Sequence, residues 1–99
     1  MTPDVMVARQ VADAALAVDG VRDLHGGMFG EVATYAPGTK IAGVRIEGDR
    51  GEVHLVTDLT RNLRTVAEEV RGEAERITGL PFVVTVEDVR IDDPHREAR

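Results

Sequence analysis

The chain opens on a helical rhythm. In DVMVARQVADAALAVDGV the apolar residues Val7, Val11, Ala14, Ala15 and Val18 recur at three- and four-residue spacing, which predicts a helix over residues 4–18. Pro3 suits its first turn, Asp4 favours its N-terminus, and Gly20 is placed to end it. VRDLH (21–25) then reads as a short strand, and EVATYA (31–36) as a second one closed by a Pro37-Gly38 turn. KIAGVRIE (40–47) puts Ala42, Val44 and Ile46 on one face, with Arg45 and Glu47 on the other. GDRG (48–51) is a hairpin-type loop, after which EVHLVTDL (52–59) alternates through Val53, Leu55, Thr57 and Leu59.

From Asn62 to Thr78 the period returns to helical. Leu63, Val66, Ala67, Val70, Ala74 and Ile77 form one stripe, Glu68/Arg71 and Glu73/Arg76 stand three apart, and Gly79 is the stop. FVVTVEDVRI (82–91) is the last strand. Its alternation through Phe82, Val84 and Val86 changes phase at Val89 and Ile91, which calls for a bulge near Glu87-Asp88. The order predicts an α+β fold: one small mixed sheet of three to four strands, in the order α-β-β-(β)-α-β. The strand–helix–strand passage from 52 to 91 reads as a parallel, right-handed crossover. Each helix has one apolar stripe, so both are placed on one face of the sheet. The 99 residues form a single domain with an ordered core at about 4–91 and a polar tail, DDPHREAR, at 92–99.

Charge narrows the partners. Twelve Lys and Arg against eighteen Asp and Glu leave a formal charge of −6, which repels nucleic-acid backbones and anionic membrane surfaces alike. No apolar run approaches the ~20 residues that span a bilayer, the N-terminus lacks a signal-peptide pattern, and the absence of cysteine fits the cytoplasm.

The stretch least like packing is HGGMFGEVATYAPGTK, residues 25–40, which holds Phe29 and the only tyrosine, Tyr35. Gly27-Met28-Phe29-Gly30 has the G-x-x-G spacing of KH loops, which grip single-stranded nucleic acid, but Glu31 follows it. The plainer reading has the glycines shape a tight loop while Phe29 tucks into the edge of the core. His25-Gly26-Gly27 has the look of an esterase oxyanion loop, yet the chain has neither serine nor cysteine to act as nucleophile. Asp23 with His25, and His54 with Asp58, lack a metal-ligand spacing. Gly38-Thr39-Lys40 is the wrong order for a phosphate-binding P-loop. No catalytic, metal or cofactor residues are therefore assigned.

The candidate contact residues are Met28, Phe29, Tyr35 and Pro37. Arg61 and Arg64 come second, as cations set against the dipole at the start of the second helix.

Three blocks, Val18-Asp19-Gly20-Val21, HGGMFGEVATYAPG (25–38) and Thr78-Gly79-Leu80, give the chain a pattern that resembles the alkaline shock protein family of envelope stress response proteins, in its short actinobacterial form. The likeness runs from about Val7 to Ile91. It departs at Leu59-Thr60-Arg61-Asn62-Leu63-Arg64, where many relatives carry an aromatic-glycine pair and a proline. The resemblance implies a small cytoplasmic α+β protein without enzymatic activity. It would act as a scaffold through a protein partner, a small membrane anchor among the options, or by self-association. A KH-like single-strand binder is the alternative.

Overall fold

A computed structural model describes residues 3–91. The chain runs α1 (Pro3–Leu16), β1 (Val21–Leu24), β2 (Ala33–Ala36), β3 (Thr39–Ala42), β4 (Val44–Glu47), β5 (Arg50–Thr57), α2 (Leu63–Thr78) and β6 (Phe82–Val89). Met1, Thr2 and the 92–99 tail lie outside the described residues. The fold is α+β, in the element order that the periodicity predicts.

β5 is the spine of a four-stranded mixed sheet. Along one edge it pairs in parallel with β6, from Gly51↔Phe82 to Thr57↔Val89. Its other edge is shared end to end by two antiparallel strands: β4 takes residues 50–53, and β1 takes residues 55–57. β2 and β3 form a separate two-stranded antiparallel ladder, so the chain has a second small sheet where one was expected. The bulge expected in the last strand is present: Leu55 pairs Val86 while Val56 pairs Asp88, which leaves Glu87 as the extra residue.

Both helices pack on the same face. The core joins Val5, Ala8, Val11, Ala12 and Ala15 of α1 to Val70 and Ala74 of α2, over Ile41, Val44, Val53, Leu55 and Phe82. α2 follows its sequence closely. Asn62 caps it by accepting the Thr65 N–H at 3.1 Å, and Gly79 closes it in the left-handed region at φ 72° with its N–H on Glu75 O at 2.8 Å.

Three expectations are corrected. α1 ends at Leu16, ahead of Gly20, and buries Val5, Ala8 and Ala12 rather than Val7 and Ala14. So much of this helix is apolar that several overlapping stripes exist, and contact with the sheet selects among them. The 40–47 strand is broken at Gly43, whose φ of 87° ends one ladder and begins another. The break shifts the phase, so that Ile41 and Val44 are buried and Ala42 is exposed. A Cβ at Gly43 would lie 2.6 Å from Leu24 Cβ, so the close approach of β1 also requires glycine there.

Candidate interaction surface

The glycine-rich segment leaves β1 at His25 and is anchored by a relay of backbone bonds. The His25 N–H donates to His54 O (2.8 Å), His54 N–H to Gly43 O (2.9 Å), Gly43 N–H to Val32 O (2.8 Å), and Val32 N–H to Gly26 O (2.9 Å). The relay ties both ends of the segment to the central strand, so the five residues between them make a tight excursion.

The excursion is braced from within. Gly27 N–H donates to His25 Nδ1 at 3.0 Å, Gly30 N–H to Gly27 O at 3.2 Å, and Phe29 N–H to Glu31 Oε2 at 2.9 Å. The backbone N–H groups of Glu31 and Phe29 hold the Glu31 carboxyl below the usual carboxylate range, with lesser help from His54 and His25. Gly27 stands at φ 84°, a left-handed conformation that favours glycine, and a Cβ there would displace the Glu31 carboxylate, which lies within 2.6 Å of its position. Tyr35 reaches across from β2 to donate its hydroxyl to Gly30 O at 3.2 Å, and Lys40 Nζ stands 5.8 Å from the Tyr35 ring centre.

This bracing turns the apolar side chains outward. Met28 is 82% exposed, Phe29 87% and Tyr35 61%. Phe29 does not tuck into the core edge: its own amide is held down by Glu31 while its ring faces solvent. Two large apolar side chains on successive residues of a hydrogen-bonded tip are thus exposed together. The same geometry fills the would-be anion cradle with the chain's own carboxylate, which repels a phosphate.

Of the sequence-predicted contact residues, the structure brings Met28, Phe29 and Tyr35 together, with Pro37 exposed at the β2–β3 turn beyond them. Arg61 and Arg64 are elsewhere. Arg61 sits at the Gly20 end of β1, a strand's length (about 13 Å) from the His25 end. It donates to Asp19 O at 3.1 Å and to both Glu69 oxygens at 2.9 and 2.5 Å, lining a cleft of about 420 Å³ between α2 and the turn that follows α1. The pair raises the Arg61 pKa and lowers that of Glu69, so the cation already has its carboxylate. Arg64 is exposed on α2.

His54 does not pair with Asp58. Its Nε2 lies 2.7 Å from Glu52 Oε1 and its Nδ1 2.5 Å from Glu87 Oε2, on the sheet face away from the helices. Asp58 instead accepts the Thr60 N–H at 2.9 Å and hydroxyl at 2.5 Å, which pulls its pKa down. Glu52 could have been foreseen two residues from His54 on an alternating strand. Glu87 could not, since its reach depends on the β5–β6 register and the bulge. No group of three or more His, Cys, Asp or Glu side chains is arranged to hold a metal ion among the described residues, and no described helix is long and apolar enough to cross a membrane. Compared with known proteins, the chain matches no family model, no curated protein and no solved structure.

Proposed function

We propose that this domain is a non-catalytic interaction or scaffold module, and that the Met28–Phe29 tip with Tyr35 is its docking surface. One observation carries the reading: Phe29, the most exposed large apolar side chain among the described residues, sits on a loop braced by backbone and side-chain hydrogen bonds. Phe, Tyr and Met supply anchor area at low entropic cost when their backbone is already fixed. The sequence resemblance gives this surface a context, a cytoplasmic envelope-stress scaffold acting through a protein partner such as a small membrane anchor, or through copies of itself.

The test is capture of the tagged chain from gently cross-linked native cells, with membrane and soluble fractions separated. Wild type brings down a defined partner resistant to nuclease, and Phe29→Ala loses it while keeping its melting temperature. A nuclease-sensitive, salt-dependent assembly would replace this reading with the KH-like one.

A further inference from the structure

His54 occupies the middle of the spine strand. Its N–H donates to Gly43 O at 2.9 Å, its carbonyl accepts the His25 N–H at 2.8 Å, and on its other side it pairs with Thr85 of β6. The backbone thus holds the ring in one place on the open face of the sheet, where the side chain is only 14% exposed. Both ring nitrogens meet a carboxylate there, Nε2 at 2.7 Å from Glu52 Oε1 and Nδ1 at 2.5 Å from Glu87 Oε2.

An ionised carboxyl only accepts, and a neutral imidazole has one N–H to give. Two such contacts therefore require an imidazolium. Once the ring loses its second proton, one nitrogen turns a lone pair on a carboxylate oxygen, and that contact breaks. The two arms are unequal. Glu52 shares β5 with His54, and Arg45 stands opposite it on β4 and feels its charge. Glu87 is the extra residue of the bulge, on a strand that pairs only with β5 among the described residues, where it has no ion pair besides His54. Glu87 is the arm that turns to water at least cost.

The other charged groups on or beside this face have partners of their own. Arg45 pairs with Glu47. Asp23 and Asp88, which flank Val56 on the neighbouring strands, accept the N–H groups of Leu24 and Val89. In the glycine-rich loop Glu31 accepts the Phe29 N–H and His25 Nδ1 the Gly27 N–H.

We propose that His54 and Glu87 form a proton-dependent latch, closed by the imidazolium and opened by the neutral ring, that fixes the bulge of β6 against β5. The stretch it governs ends in Arg90 and Ile91, which form one wall of a cleft of about 200 Å³ opposite Leu59 and Thr60. Histidine changes charge between about pH 5 and 8, so the latch works around neutrality. It is independent of the reading of the tip as a docking surface.

Nuclear magnetic resonance of the isotope-labelled full chain at about pH 5.5 and about pH 8.5, toward either end of that range, tests it. The His54 ring carries two protons at the lower pH and one at the higher. The reporter is the Arg90 N–H, which donates to Thr57 O at 2.7 Å just past the bulge. Its protection from hydrogen exchange, corrected for the intrinsic rate, falls by about threefold or more from the lower pH to the higher. Glu87→Gln abolishes the fall, because its amide accepts from an imidazolium or donates to a bare ring nitrogen and keeps contact in both states. Glu87→Ala shows the low protection at both pH values. His25 is intact in both variants, so its own titration cannot produce the difference. The proposal is overturned if wild-type Arg90 is equally protected at the two pH values, if Glu87→Gln loses protection as wild type does, or if the His54 ring holds a single proton at the lower pH.

Discussion

Thr57 and Thr34 are the two buried threonines among the described residues, and the structure gives their hydroxyls opposite roles. Thr34 Oγ1 donates to Val44 O at 2.7 Å, fastening the β2–β3 ladder to β4. Thr57 is fully buried on β5, between Val21 and Val89 of its neighbouring strands, and its Oγ1 has no hydrogen-bond partner. An unpaired buried hydroxyl costs about 1–3 kcal/mol against water. Thr57→Val exchanges it for a methyl of nearly the same shape and adds about 0.8 kcal/mol of apolar burial, while a strand accepts either residue. The expected result is stabilisation by about 1–2 kcal/mol. For a domain of this size that raises the melting temperature by roughly 5–10 °C. Thr34→Val is the matched control and should lose about 1 kcal/mol, since it orphans the Val44 carbonyl. Urea unfolding monitored by circular dichroism, with slopes unchanged between variants, measures both. Thr57→Val less stable than wild type by more than about 0.5 kcal/mol would show that its hydroxyl is satisfied, and the reasoning would fail.

Two further substitutions probe the spine and the loop. Gly51→Ala places a Cβ within 2.3–2.8 Å of three Phe82 ring atoms. It should cost about 1–3 kcal/mol by overpacking in the same urea assay, and Phe82→Leu should recover part of that loss. Glu31 is a depressed carboxylate, so its contribution to loop order is complete above its ordinary value of 4.5 and fades as pH falls through its lower folded value. Protection of the Phe29 amide from hydrogen exchange should therefore persist to pH 4.5 and decline below it in wild type. It should be weak at every pH in Glu31→Gln; equal protection in the two proteins would remove Glu31 from its bracing role.

The parts legible in the sequence are those where local chemistry and tertiary contact agree. α2 has one apolar stripe, an Asn62 cap and a Gly79 stop, and it folds within a residue of its expected bounds. The ion pairs Glu68–Arg71 and Glu73–Arg76 also form as their spacing predicts. The phase change after Val86 marked the bulge, because an extra residue must break a period of two. Other features depend on distant segments. Gly43 looks like one more residue of an alternating strand until β1 presses against it. The outward turn of Phe29 is fixed by Glu31 taking its amide, and a glycine-rich stretch alone is equally compatible with a buried ring. Arg61 reads as a free cation at a helix start, whereas the approach of the turn after α1 and of Glu69 gives it three acceptors.

Under the proposed function, the loop displays Phe29 to another protein surface. The most direct measurement puts a photo-activatable phenylalanine analogue at position 29 in living cells, with the same analogue at exposed Arg9 on α1 as control. Irradiation should yield one discrete protein adduct at position 29 and none at position 9. Equal, diffuse labelling at both positions would mean that Phe29 meets only solvent, and would contradict the account.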